Sequence, residues 1–304
     1  MPLKAIISNI ALCSLHDGDG VRAVVYFKGC GLNCKWCHNP ETNSKKPEII
    51  YTPVKCICCG RCIEVCPSCH IIKDGKMEFL RKNCTGCGKC FEACPTGALS
   101  LCGEYKTVSD VFNFVMKDAH YYEATGGGVT LSGGECLLWS DFCAELLKKC
   151  KENGVNTAIE TALFVDWLKI QKVIPYVDLF YADLKIPNSK KHEKYTGSGN
   201  ELIIENMQKL TKEAKRVIIR IPLIPTVNDG DEDIKGFAEI IKTLGKIEGV
   251  EVLKYNNLAE AKYNGVGKSF YSFAKESQSD EETEEFCKKL RAELADKINV
   301  FFEK

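Results

Sequence analysis

The sequence predicts an α/β fold, a barrel of six βα units around one core, interrupted early by a small cysteine-rich insert. Short apolar, β-rich runs alternate with helical patterns over most of the chain. Fourteen of the nineteen cysteines crowd between Cys30 and Cys102. Setting aside about 50 residues of that stretch leaves about 250, the size of a single α/β barrel.

The first strand is read at VRAVVYF, residues 21–27, and runs into KGCGLNCKWCHNP at 28–40. Cys30, Cys34 and Cys37 lie within eight positions there. Soft-metal sites usually close with four protein ligands, so three cysteines leave one coordination position open. Next come Cys56, Cys59, Cys62 and Cys66, followed by Pro67, and then Cys84, Cys87, Cys90 and Cys94, followed by Pro95. Each cysteine is displaced 28 positions from its twin, so C-x2-C-x2-C-x3-C-P is written twice. That run is the bacterial ferredoxin signature, in which the fourth cysteine ligates the other cluster. Cys56, Cys59, Cys62 and Cys94 would hold one cluster, and Cys84, Cys87, Cys90 and Cys66 the other. Zinc knuckles also pair C-x2-C, but a third cysteine at the same spacing and the two prolines favour iron-sulfur clusters. Cys58 and Cys69 fit neither run and read as packing residues or bystanders.

Five further strands are read at GVTL (128–131), VNTAIE (155–160), VDLFYADL (177–184), RVIIRI (216–221) and VEVLKY (250–255). Two of the intervening helices show their apolar faces at Phe142, Leu146, Leu147 and Cys150, and at Ile234, Phe237, Ala238, Ile241 and Leu244. In α/β barrels the chemistry sits at the C-terminal ends of the strands. Those ends carry the cysteine loop, Ser132-Gly133-Gly134-Glu135, Glu160-Thr161, Asp183 with Lys185, Arg220 and Asn256. Each set alone would read as a turn or a surface ion pair. A shared rim gives them a common purpose.

Composition narrows the partners. Lys plus Arg and Asp plus Glu are both 41, and no charged run marks a nucleic-acid surface. No membrane span or signal peptide is visible, so the cysteines belong to a reducing cytoplasm and to metal rather than disulfides.

The pattern C-x3-C-x2-C with Trp36 before its last cysteine resembles the radical S-adenosylmethionine motif, and SGGE at 132–135 resembles that superfamily's methionine-binding strand. LHDGDGVR at 15–22, WCHNPE at 36–41, the double cysteine run, GGGVTLSGGE at 126–135, HEKYTG at 192–197 and LAEAKY at 258–263 resemble the glycyl-radical-enzyme activating enzymes, the group that includes the pyruvate formate-lyase activating enzyme. The resemblance implies a partial (β/α)6 TIM-like radical SAM barrel at 1–50 and 104–304, with a ferredoxin-like insert at 51–103. It implies three 4Fe-4S clusters, the one on Cys30, Cys34 and Cys37 holding S-adenosylmethionine at its open iron. Reductive cleavage there would yield a 5′-deoxyadenosyl radical that takes a hydrogen from a glycine of a partner glycyl radical enzyme. Gly133, Gly134 and Glu135 would hold the methionyl amino group, Trp36 and His38 would border the adenosine, and Asp183 and Lys185 would contact nucleoside and carboxylate. Arg220 would present a donor fork to the carboxylate side, and Asn256 would hydrogen-bond to ribose or carboxylate. Glu160, Thr161 and the Tyr181 carbonyl occupy positions where family members hold a monovalent cation. A flavodoxin or ferredoxin is the implied reductant, and the implied enzyme is an oxygen-sensitive monomer.

Some positions depart from the family pattern. Asp19 and Cys136 replace prolines, Glu160 an aspartate and Asn256 a histidine. Two other classes compete. A sulfatase-maturase-like radical enzyme would modify a peptide side chain or small molecule but would place its extra cysteines after the barrel. A ferredoxin-type electron carrier would not need KGCGLNCKWCHNP or SGGE.

Overall fold

The computed structural model describes residues 2–303. Thirteen strands form among them: β1 (Lys4–Ser14), β2 (Arg22–Phe27), β3 (Glu48–Tyr51), β4 (His70–Lys73), β5 (Lys76–Phe79), β6 (Leu99–Cys102), β7 (Glu104–Thr107), β8 (Gly128–Gly133), β9 (Asn156–Thr161), β10 (Leu179–Asp183), β11 (Val217–Pro222), β12 (Gly249–Leu253) and β13 (Val300–Phe301). Nine of them make one sheet in the order β13-β12-β11-β10-β9-β8-β2-β1-β7. Its strands from β2 through β13 pair in parallel, while β1 is antiparallel to both β2 and β7. The six parallel strands read in the sequence are all present; β1, β7 and the two-residue β13 extend the sheet beyond them.

Alternation along each strand separates two faces. One face carries Val25, Phe27, Leu131, Ile159, Phe180, Ile219 and Val252 into the main apolar core. Helices cover it. Helix Ser140–Glu152 contributes Phe142, Leu146, Leu147 and Cys150, and Asp231–Lys242 contributes Ile234, Phe237 and Ala238. The other face carries Thr130, Ser132, Glu160, Arg220 and Glu251, all at least half-buried, above a small apolar layer of Ala158, Leu179, Tyr181 and Ile218. This polar face is the concave one. The loop between β1 and β2 bonds to β11, Arg216 to the Asp19 carboxylate at 2.7 Å and Arg220 to the His16 carbonyl at 3.4 Å. On a flat sheet β2 and β11 would stand four spacings apart, roughly 19 Å. The sheet therefore curls into an open partial barrel, with the loop crossing its hollow side.

Residues 48–102 form a separate small layer with its own apolar cluster of Ile49, Cys62, Met77, Cys90 and Leu99. Here the repeat of 28 positions appears as structure: β3 is repeated as β5, and the short helix Arg61–Val65 as Lys89–Glu92. The outer strands β3 and β6 pair with each other, and so do the inner strands β4 and β5, in a pseudo-twofold arrangement.

The loops above the barrel are tied from below. Asn228 is fully buried; its amide donates to the carbonyls of Lys185 (2.7 Å) and Pro222 (2.8 Å), and its Oδ1 accepts from the Ile224 N–H at 2.7 Å. The ends of β10 and β11 are thereby joined. Asn228→Ala removes three buried hydrogen bonds and is expected to cost about 2–3 kcal/mol. Urea titration should show a lower midpoint with unchanged slope.

Candidate functional site

The site begins where β2 ends. Gly29 donates to the Thr42 carbonyl at 2.7 Å and Cys30 to that of Asn43 at 3.2 Å, so the cysteine loop closes on its own base. Asn33 and Lys35 donate to the carbonyls of Thr196 and Tyr195 at the end of helix Ser189–Thr196. Trp36 packs against Tyr195 and Phe273, with ring centroids 6.4 and 6.2 Å away. Beside the loop, the Gly134 N–H meets the Phe27 carbonyl at 2.9 Å, and the Glu135 N–H meets that of Gly29 at 2.7 Å. The approach is so close that a Cβ on Gly133, whose φ is +113°, would stand 2.3 Å from the Phe27 nitrogen. One on Gly134 would stand 2.3 Å from the Gly29 oxygen. Both positions require glycine.

A cavity of about 310 Å³ opens between these elements. Its wall contains Cys30, Cys34 and Cys37, with Trp36, His38, Gly133, Gly134, Thr161, Asp183, Lys185, Arg220 and Asn256. A larger cleft, about 880 Å³, lies between the loop after β11 and helix Asp280–Glu293, lined by a mixture of apolar, acidic and basic side chains and without a cysteine. Donor chemistry, not volume, selects the first.

Two residues predicted to contact the cofactor have partners within the protein. Glu135 does not line the cavity: its buried carboxylate accepts from the Thr161 hydroxyl at 2.8 and 2.9 Å, the Ala162 N–H at 3.1 Å and the Leu137 N–H at 3.2 Å. Burial pushes its pKa up to about 7 against those bonds. It ties the end of β8 to the end of β9. Arg220 does reach the wall, but its fork is occupied. Nε donates to Glu251 at 2.6 Å, Nη1 donates to Glu160, and the guanidinium lies 3.6 Å above the Tyr181 ring. A buried guanidinium needs such partners, because leaving it unpaired is very costly.

Lys185, also in the wall, lies 2.6 Å from Asp183. Burial disfavours its ammonium, but Asp183 and the Cys34 and Cys30 thiols outweigh that and raise its pKa. Burial likewise pushes the Cys30 thiol up to about 11 and Cys34 up to about 12. The Asn256 Oδ1 accepts from the Leu258 N–H at 2.9 Å. Glu160 accepts from the Ser132 hydroxyl at 2.6 Å as well as from Arg220.

In the small layer, one cavity is lined by Cys56, Cys59 and Cys62 from the first run and by Cys94 from the second. Conversely Cys66, of the first run, lies beside Cys84 and Cys90; burial, with those two thiols, pushes Cys90 up to about 11. Cys87 is exposed. Among the described residues no three His, Cys, Asp or Glu side chains converge on a single ion. Ligands of a four-iron cluster stand farther apart than ligands of one ion.

Two lysines that sequence reasoning passed over brace the site. Lys28 is fully buried, its Nζ donating to the Glu41 carbonyl at 2.6 Å and to Glu48 at 2.9 Å. Lys262 donates to Asn39 Oδ1 at 2.7 Å and to the His38 carbonyl at 3.1 Å. Only the LAEAKY stretch hinted at the second; nothing in the sequence marked the first.

Three soft thiols and an open face above the C-terminal ends of a parallel partial barrel define a radical S-adenosylmethionine enzyme. A model of the radical SAM superfamily matches residues 59–238, and one of a 4Fe-4S single cluster domain matches residues 16–73. The (2S)-3-sulfopropanediol dehydratase activating enzyme of Klebsiella oxytoca is 41% identical, over 86% of this chain and 85% of that protein. The choline trimethylamine-lyase activating enzyme of Oleidesulfovibrio alaskensis is 40% identical, over 87% of each. A radical SAM methyltransferase from Sphaerobacter thermophilus shares the fold, with a TM-score of 0.56 and 13% identity over 98% of this chain and 76% of that one. The chain belongs to the radical SAM superfamily, and within it to the activating enzymes of glycyl radical enzymes. It carries an iron-sulfur cluster and uses S-adenosylmethionine. No helix among the described residues is long and apolar enough to cross a membrane.

The Glu135 carboxyl supplies a pH test. Its folded pKa of about 7 lies above the ordinary 4.5, so the native chain holds a proton there that the unfolded chain gives up. Stability relative to Glu135→Gln should therefore fall as pH rises from about 4.5 to about 7, by on the order of 3 kcal/mol. Urea titrations of both proteins at pH 5 and pH 8 measure it, and a pH-independent difference would rule out a buried titrating carboxyl.

Proposed function

We propose that three 4Fe-4S clusters serve this activating enzyme: one on Cys30, Cys34 and Cys37, and two in segment 51–103, on Cys56, Cys59, Cys62 and Cys94 and on Cys84, Cys87, Cys90 and Cys66. The observation that carries it is the crossing of the fourth cysteines, with Cys94 in the wall beside the first run and Cys66 beside Cys84 and Cys90. The donor sets fit: thiolates are the ligands that such clusters take, and three of them leave one iron open.

When bound there, S-adenosylmethionine supplies on reductive cleavage the 5′-deoxyadenosyl radical that takes a hydrogen from the partner's glycine. The chain's residues bind and orient. The Gly133-Gly134 backbone accepts the methionyl ammonium without a side chain in the way. Lys185, kept charged by Asp183, faces the carboxylate, and Asp183 the nucleoside hydroxyls. Trp36 and His38 border the adenine, Asn256 the ribose. Arg220, held between Glu160 and Glu251, shapes the wall and leaves no free fork for the ligand. Its guanidinium puts positive charge beside Glu160 and Tyr181, where the family resemblance implies a monovalent cation.

Val54 and Ile57 are 93% and 65% exposed on either side of Cys56, an apolar patch suited to a flavodoxin or ferredoxin reductant. A reducing cytoplasm is the setting this cysteine content calls for, and a monomer is the state the family resemblance implies.

Incubated with its glycyl radical enzyme, reductant and S-adenosylmethionine, the protein should produce a glycyl EPR doublet. Absence of the doublet with every candidate partner, despite cleavage of the cofactor, would favour a small-molecule or peptide substrate. Cys30→Ser should abolish S-adenosylmethionine cleavage, whereas Cys84→Ser should lose an auxiliary cluster and keep part of the cleavage driven by a chemical reductant. Wild-type rates in both variants would overturn this division of labour.

A further inference from the structure

The two halves of the cysteine layer are not chemically equal. Offsetting by 28 positions, the partner of Ala98 is His70 and the partner of Tyr51 is Phe79. Ala98 lines the cavity of the first cysteine set. The pseudo-twofold maps His70 onto the corresponding wall of the second set, Cys84, Cys87, Cys90 and Cys66. The neighbouring residues agree: Cys69, next to His70, lies beside Cys66 and Cys84. Along β4, His70 shares a face with Ile72, which borders the first cavity opposite Met77.

The His70 side chain is fully buried, and neither ring nitrogen has a hydrogen-bond partner. Its ring stacks on Phe79 at 4.8 Å with an interplanar angle of 13°, which directs the nitrogens sideways, off that ring. An imidazole always carries at least one N–H, and a buried donor without an acceptor is unfavourable. A sulfur-rich cluster in the adjoining wall would supply the acceptor. At the first set the comparable polar group is the Tyr51 hydroxyl, which lies within reach of both the Met77 carbonyl, at 3.2 Å, and the Cys56 thiol.

We infer that His70 donates a hydrogen bond to a sulfur of the second auxiliary cluster and thereby raises that cluster's potential. The inference rests on the three-cluster reading above. An N–H dipole aimed at a sulfur stabilises the electron that reduction adds, so hydrogen bonds to cluster sulfurs raise the potential. His70 is a positioning residue; it touches neither substrate nor the open-iron cluster.

The test is a redox titration of the reconstituted full-length enzyme followed by EPR, together with nitrogen electron-spin-echo spectra of protein grown on 15N-histidine. The wild type should show two auxiliary couples and a histidine nitrogen coupled to one of them. His70→Phe keeps a ring to stack on Phe79 and removes the donor. It should shift only the histidine-coupled potential downward and erase the nitrogen signal. His70→Asn retains an N–H and should restore most of that potential. If His70→Phe fails to assemble the second cluster, the nitrogen coupling in the wild type decides: its presence supports the bond, its absence refutes it. Full iron and sulfide content with both couples unmoved by His70→Phe overturns this inference alone. Iron and sulfide for a single cluster in the wild type overturns the three-cluster reading as well.

Discussion

Two backbone hydrogen bonds, from Gly134 to Phe27 and from Glu135 to Gly29, hold the site together. They press the end of β8 against the start of the cysteine loop at a distance that excludes any side chain at Gly133 or Gly134. Once that contact is made, the Glu135 carboxylate is forced inward, where it captures Thr161 and Ala162 at the end of β9. Three successive strand ends are thus located by one short segment. The bare backbone that remains on the cavity side is the surface that can receive a cationic amine.

The concave face inverts the usual logic of a barrel interior. In place of layered aliphatic side chains it carries Arg220 between Glu160 and Glu251, and Asp183 against Lys185. Desolvating so many charges is costly, and their mutual attraction does little better than offset it. What they gain is fixed placement in a region of low dielectric, where a charged ligand feels each one more strongly than it would in water. The apolar cost is met on the opposite face, where Phe27, Phe180 and Phe237 are fully buried under the helices. One face stabilises the sheet and the other is free to carry charge.

The parallel strands were legible because strands buried under helices read as dense apolar runs. VRAVVYF became Arg22–Phe27, and RVIIRI became Val217–Pro222. The β1 strand was not legible. It lies next to the sheet edge with a mixed pattern of exposure, and its pairing with β2 and β7 depends on residues far along the chain. The same holds for side chains. A strand-end position shows that Glu135 and Arg220 approach the cavity, but their partners come from β9 and β12, so sequence spacing could not tell which way each would turn. Lys28 is the extreme case, a lysine with no exposed surface that reads in the sequence as an ordinary surface charge.

The cysteine-rich layer and the barrel are also mechanically joined. Helix Glu260–Gly265 lies between them. From it, Lys262 reaches His38 and Asn39 in the cysteine loop, while the Gly265 carbonyl accepts from Arg81, whose other arm holds the Ile49 carbonyl at 2.6 Å. On the opposite side, Lys28 bonds Glu41 in the loop and Glu48 at the foot of the layer. A body clamped at two separate points can turn only about the line that joins them. Any other displacement of the layer strains the bonds to His38 and Asn39, the residues that follow Cys37.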